Sequence, residues 1–374
     1  MSNSSRSCFR KGGSVIVLVV GIVCLWAMPS VKAEKAKDDL PTPEVGEFAP
    51  KDPIFHDELE RGLGLVYADQ FETALDALDS LIAQHPDHPG PHFYRAATLQ
   101  TWMSSRRFNA FQEDLERSVE QTIATGEKLL IKNPEDPWLD FYMGGAFGYQ
   151  AYFKFGRYNF FGAYQDGKKA IEHLRICLAK EPRLYDAYLG LGSYYYWRSA
   201  RSRVLRWLLF WMPDKRALGL DQINLAMKHG QYSRNEAYLV LVTALYDDKQ
   251  YDRALAVLDN GADAKHPSNL FGLYLRGLLG EKKKDWTTVD VVFRDLDDRL
   301  AKSKYAAVGF RVACQYRIAL ALSELGRKDE ALLMAQSAIA LSAKRDSDKE
   351  LESLLNAYDD VKKELDRLYK KLNE

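Results

Sequence analysis

Three histidines, His85, His88 and His92, fall within the eight residues "HPDHPGPH", and histidines that close together raise the question of a metal ion. A metal needs convergent ligands on a rigid frame. Here the rings sit in a proline-rich turn with Asp87 as the only nearby acid, so the expected role is incidental or structural. Three glycines in "MGGAFG", Met143 to Gly148, could belong to a phosphate loop. No strand precedes them, however, and no Lys or Ser follows in the required arrangement. There is no G-x-S-x-G elbow and no H-E-x-x-H helix, and the acids are spread as solvated faces rather than paired. No side chain can be given a catalytic role, no cofactor or metal is implied, and the expectation is a protein that is not an enzyme.

What remains is recognition, and that depends on the elements that carry the side chains. In "GLGLVYADQFETALDALDSLIAQHP", Gly62 is followed by Phe71, Ala74, Leu78 and Pro86. The same order returns around Tyr251, Ala254, Leu258 and Pro267, around Gly277, Trp286, Val289 and Phe293, and around Ala319, Ala331, Ala335 and Ala338. Small residues spaced in this way let two antiparallel helices approach closely, larger ones fill the space between neighbouring pairs, and proline stops the second helix. A period of about 34 residues results.

On these residues the chain resembles tetratricopeptide-repeat proteins from about residue 55 to 342, and its "LGSYYYW…LRWLLFWMP…GLDQINLAMKHGQY" arrangement is similar to exported bacterial members of unassigned activity. The resemblance implies an all-α fold, a right-handed α-solenoid of about seven helical hairpins. Three of them depart from the regular length. Ala97 and Pro134 are 37 apart, Gly145 and Ala170 are 25 apart, and Gly192 and Gly219 are 27 apart, so each unit carries an insertion between its small residues. Such insertions predict hairpins with longer helices or an extra element at the tip. "SDKELESLLNAYDDVKKELDRLYKKLNE", residues 347–374, places Leu351, Leu354, Leu355, Tyr358, Val361, Leu365, Leu368 and Leu372 on one helical face, as a helix capping the last hairpin would.

In this family the first helix of each hairpin lines a concave groove. That register assigns to the groove Tyr67, Tyr94, Trp102, Tyr142, Tyr149, Tyr196, Trp197, Tyr246, Tyr274 and Tyr316. Tyr and Trp combine large contact area with a polar handle, so a protein or peptide segment is the expected partner. The competing reading is that these rings fill the groove wall against one another.

Residues 198–216, "RSARSRVLRWLLFWMPDKR", set basic side chains beside an apolar run, with Arg201, Arg203, Arg206, Trp207 and Trp211 as its candidates for membrane or partner contact. The run is far too short to span ~30 Å of hydrocarbon. Three readings compete: packing against the aromatic stretch from Tyr149 to Tyr164, which is favoured, peripheral contact with anionic lipid, and docking of a partner.

Residues 1–33 read as a signal peptide: Arg6, Arg10 and Lys11 precede an apolar stretch from Ser14 to Met28, and Val31 and Ala33 suit a peptidase. The alternative is an uncleaved inner-membrane anchor. Cleavage implies a periplasmic or secreted protein with 48 basic against 52 acidic residues, a balance that gives no reason to expect nucleic acid. Residues 34–53, with four prolines and many charges, read as a flexible linker ahead of a 54–346 solenoid. Cys177 and Cys314 lie in apolar helical patterns and are expected as small buried residues. The function these features favour is a non-catalytic adaptor in the bacterial cell envelope. Its rivals are an accessory or hydrolase-like enzyme with a site between the long insertions, and an envelope assembly factor held at the membrane surface.

Overall fold

The computed structural model describes residues 51–52, 54–202, 213–260, 269–353 and 355–374. These are helical apart from turns, short connections and one isolated antiparallel bridge, Phe108 to Glu350, so the fold is all-α. They divide into two compact units, one of residues 51–100 and 112–244, the other of 101–111 and 245–374. The signal-peptide residues 1–33, most of the linker, Pro267 and Leu354 lie outside the described residues.

The larger unit is built from α1 (His56–Tyr67), α2 (Phe71–Gln84), most of α3 (Pro89–Arg106), α4 (Gln112–Lys132), α5 (Pro137–Gly156), α6 (Phe160–Lys180), α7 (Asp186–Ser202), α8 (Arg216–His229) and the start of α9 (Arg234–Asp247). Local chemistry sets the boundaries. Pro137 opens α5, and the Asp136 side chain accepts from the Trp138 N–H; Asn159 does the same for Gly162 at the start of α6. On α2 the residues Phe71, Ala74, Leu78 and Leu81 form the buried stripe. Two of the three insertions appear as helix length, while residues 203–212 of the third lie outside the described residues. α4, α5 and α6 have 21, 20 and 21 residues, against 12 and 14 in α1 and α2.

Close helix approach at the small residues is measurable. A Cβ on Gly219 of α8 would stand 2.6 Å from the Tyr196 nitrogen and 2.7 Å from the Gly192 oxygen of α7, so backbone touches backbone there. Gly219→Ala should therefore cost about 3 kcal/mol, because a main-chain atom cannot rotate away as a side chain would. A thermal melt within a degree of wild type would show that the helices part freely. In the third hairpin the register differs by one residue from the sequence reading. Gly144, not Gly145, faces α6, its Cβ position 2.8 Å from Leu174 and 3.2 Å from the Ala170 oxygen. Gly145 instead faces Phe93.

The linker reading fails at its end. Asp52 is buried, its main-chain N–H donates to the Tyr232 hydroxyl at 3.1 Å, and Tyr142 donates to its carboxylate at 2.8 Å. Burial with three partners, counting the Ile54 N–H, makes it part of the core rather than a spacer.

The other unit contains α10 (Tyr251–Asn260), α11 (Leu270–Lys283), α12 (Trp286–Lys302), α13 (Val308–Glu324), α14 (Lys328–Ser342) and α15 (Tyr358–Asn373). Its core joins Phe293 and Leu296 of α12, Ile318 of α13 and the alanines Ala331, Ala335 and Ala338 of α14. Leu365, Leu368 and Leu372 of α15 close that core, which is the expected capping role. The cap is shorter than 347–374, however. Residues 347–349 form a 3-10 turn, Glu350 bridges to Phe108, and the Leu351 N–H donates to the Arg107 oxygen at 2.8 Å. Pairing with residues 107–109 takes this stretch out of the helix that its leucine spacing predicted.

Candidate functional site

The ten groove aromatics are placed as follows. In the larger unit Tyr94, Tyr142, Tyr196 and Trp197 are buried, while Tyr67 and Tyr149 keep partial exposure. In the other unit Trp102 and Tyr274 are buried, and Tyr246 and Tyr316 keep partial exposure. The buried rings meet each other. Tyr94 and Tyr142 stand edge to face at 5.9 Å, Tyr196 and Trp197 at 4.9 Å, and Trp102 packs among Phe108, Phe111 and Tyr305. Tyr196 also donates to the Ala244 oxygen at 2.7 Å. Six of the ten are thus buried, and four keep partial exposure. Arg203, Arg206, Trp207 and Trp211 lie outside the described residues, as does the side chain of Arg201.

A polar cluster that no local pattern announced lies among the aromatics of the larger unit. Tyr232, just before α9, receives the Asp52 N–H, lies 2.9 Å from His56 Nδ1, and packs its ring against Tyr94 and Trp138. Asp186, the first residue of α7, accepts the N–H groups of Gln231, Tyr232 and Ser233 at 2.9, 2.7 and 2.7 Å. This holds Tyr232 in position. Of the three turn histidines, His88 accepts the Gly90 N–H and meets Phe55 edge-on, while His92 lies 3.2 Å from the Pro86 oxygen. Burial lowers the His88 pKa below its usual value, which suits a neutral ring accepting at Nδ1. Among the described residues no three His, Cys, Asp or Glu side chains group as metal ligands.

One constellation looks like nucleophilic chemistry. On the long α5–α6 hairpin, Asp140 accepts from His173 Nδ1 at 2.7 Å and from Lys180 at 2.5 Å, Phe147 stacks on the His173 ring, and Cys177 lies one turn further along α6. An activated cysteine needs a lowered pKa and access. Cys177 has neither: it is buried, and burial followed by the Asp140 and Asp186 charges pushes its thiol well above the usual value. The set is a buried ion-pair network. Cys314 is likewise buried and free, with burial pushing its thiol up to about 12.

In the other unit, burial pushes the Tyr274 phenol up, but the Arg107 and Arg317 guanidiniums outweigh it and bring the pKa below the usual value. Arg107 stacks over Phe310 at 3.8 Å and over Tyr274 at 4.7 Å. Asn356 donates to the Tyr274 hydroxyl at 3.0 Å.

The sequence reading missed Glu236, in the first turn of α9. It sits deep in the larger unit yet keeps partial access to solvent, and burial alone pushes its carboxyl up to about 7. Its charge in turn raises the Tyr149 phenol beyond what burial does. Among the described residues Glu236 has neither hydrogen bond nor ion pair. The sign of the pH effect follows. Between the ordinary carboxyl value of 4.5 and about 7 the folded chain holds a proton that the unfolded chain has released. The stability this contributes is complete below 4.5, falls as pH rises through that window, and is gone above about 7. Glu236→Gln should gain about 3 kcal/mol at pH 8 and nothing at pH 4, read by urea unfolding. A gain equal at both pH values would refute the assignment.

No protein-family model matches the chain, and a search of the curated proteins finds no match. Among solved structures, the chain is similar to one described as Naa15/Naa10 bound to HypK-THB, at 15% identity and a TM-score of 0.30, covering 84% of this chain and 38% of that one. It is also similar to yeast Tom70, at 12% identity and a TM-score of 0.32, covering 84% of this chain and 81% of that one. This chain therefore spans well under half the length of the first. No described helix is long and apolar enough to cross a membrane. The described residues are helical in both units, so the fold is all-α.

Proposed function

We propose that this chain is a non-catalytic scaffold that holds a protein or peptide segment against the first helices of its hairpins, and that it acts in the bacterial cell envelope after export. The observation that carries the reading is the split among the groove aromatics. In the larger unit Tyr67 on α1 and Tyr149 on α5 keep partial exposure while Tyr94 and Tyr142 are buried, and within the other unit Tyr246 on α9 and Tyr316 on α13 keep partial exposure while Tyr274 is buried. Partly exposed tyrosines held on helices give contact area at low entropic cost. Cys177, the most nucleophile-like side chain on the long hairpin, is buried with its thiol pushed up, which supports the non-catalytic reading. Export rests on the apolar stretch and small residues of 1–33.

A photo-crosslinking amino acid placed at Tyr149 or Tyr316 tests the binding face, with Glu127, exposed on the second helix α4, as the control. Incubation with envelope extract should give a discrete adduct from the first two positions and none from the third. An equal pattern from Glu127, or no adduct from either tyrosine position, refutes the scaffold. For location, mass spectrometry should find Glu34 as the mature N-terminus. Retention of residues 1–33 would favour the anchored form.

A further inference from the structure

The turn between α5 and α6 carries aromatic rings where its equivalents carry polar side chains. Among the described residues, five hairpins share one turn geometry. A corner residue with positive φ donates its N–H to the oxygen three residues back, and the next residue donates to the oxygen five back. The second helix then starts two residues after the corner. In four of these turns the corner is Asp69, Lys249, Lys284 or Gly326; between α5 and α6 it is Tyr158, with φ 61°. A bulky side chain tolerates that φ poorly, so the turn itself gains nothing from a tyrosine. Three residues after the corner the four turns have Glu72, Asp252, Thr287 and Asp329, and this one has Phe161. Tyr158 is 47% exposed and Phe161 is 74% exposed. Phe160 is 44% exposed, whereas Phe71, at the same place in the first hairpin, is buried.

Positive charge surrounds these rings. From residue 150 to 169 there are four basic residues, Lys154, Arg157, Lys168 and Lys169, and one acid, Asp166. Asp166 is buried and ion-paired with Lys154, and Glu116 of α4 holds Arg157. Lys168 and Lys169 are exposed, and Lys168 lies two turns behind Phe161 on the same face of α6. Exposed rings backed by basic side chains match a bilayer surface. The rings enter the boundary between headgroups and acyl chains, and the cations meet anionic headgroups. We propose that the tip of the α5–α6 hairpin, Tyr158, Phe160 and Phe161 backed by Lys168, docks on a phospholipid bilayer that carries anionic headgroups. Charge complementarity selects the occupant, because the exposed cations beside the rings leave an acidic surface as the matching one. The envelope location proposed above supplies such a bilayer, while the scaffold reading neither requires this contact nor falls with it.

The test uses the full chain with an environment-sensitive fluorescent amino acid in place of Phe161, or in place of Glu127 as the control. The vesicles are phosphatidylcholine with or without phosphatidylglycerol, each containing a spin-labelled lipid. Residues 1–33 can hold the chain on a vesicle by themselves, so the readout is lipid quenching at the tip. With phosphatidylglycerol present, quenching at position 161 should be several-fold that at 127, and added salt should lower it. Tyr158→Asn and Lys168→Glu should each reduce that quenching by about half or more, the first by removing apolar contact and the second by reversing a charge. Asparagine accepts the left-handed corner more readily than tyrosine, and Lys168 is exposed, so both variants fold as wild type does. Equal quenching at 161 and 127, or quenching that neither variant changes, overturns the proposal. A probe at 161 that is shielded without vesicles and unquenched with them also overturns it, and assigns the tip to cover by the chain's own residues 203–212. A protein adduct from a photo-crosslinker at 161, with no lipid quenching, overturns it in favour of a protein partner. Crosslinking from Tyr316 reports the scaffold separately: an adduct there without lipid quenching at 161 would leave the scaffold standing without this surface.

Discussion

Asp186→Ala should lower the stability of the folded chain by about 4 kcal/mol, one of the two largest single-residue effects expected here. Asp186 is almost fully buried, and its two oxygens accept three consecutive main-chain N–H groups, those of Gln231, Tyr232 and Ser233. The Ser233 donor is one of the unpaired groups that every helix start leaves over, here at the start of α9, so Asp186 caps that helix from another element. Alanine leaves three donors without acceptors in a place where water enters poorly, and each such loss costs about 1–3 kcal/mol before relaxation. Asp186→Asn keeps one oxygen and should cost about half as much. Urea unfolding followed by far-UV circular dichroism measures both. A loss under about 1 kcal/mol for alanine would mean that the 231–233 loop finds other acceptors.

Glu281→Ala should cost about 3–5 kcal/mol through the arginine it leaves behind. Arg317 on α13 is buried, with its Nε 3.2 Å from the Glu281 carboxylate and one further bond to the Ala313 oxygen of its own helix. Phe293 and Tyr274 face the guanidinium at 5.4 and 6.0 Å but cannot neutralise it. Removing the carboxylate therefore leaves a charge that the core cannot solvate, whereas removing both partners does not. The double change Glu281→Gln with Arg317→Met should recover most of the loss. A double variant as unstable as Glu281→Ala would show that packing of the Arg317 stem, rather than its charge, is what matters.

Most of the helical frame was legible in the sequence, because spacing of small residues and helix-ending prolines are local signals. Gly192 and Gly219 were read as a close-packing pair despite the insertion between them, and the backbones do touch there. The register slipped in the third hairpin because adjacent glycines, Gly144 and Gly145, offer two equally small positions, and only three-dimensional packing separates them. The candidate site was less legible. A recurring tyrosine reads alike whether its ring is a wall, as Tyr142 is, or partly open, as Tyr149 is. Glu236 was overlooked because one acid in the first turn of a helix normally reads as a favourable dipole partner at the surface. The sole local signal it carried was that first-turn place. Asp52 and Glu350 carried none. Each is placed by a partner far away in sequence, Tyr232 for one and Phe108 for the other.

The bond between Asp52 and Tyr232 bridges 180 residues. Helical repeats normally touch only their neighbours, so they can fray from an end and refold from any nucleus. In the larger unit the residues before the first hairpin are fastened to the start of the fifth, and Gln231 reinforces this by donating to Glu60 at 2.6 Å. Loss of the leading hairpin would then expose the Tyr94, Trp138 and Tyr142 rings from beneath it, coupling its melting to that of hairpins far along the chain. Such an array behaves kinetically like a high-contact-order domain, with slow formation and one sharp transition, instead of the graded unravelling of an open stack.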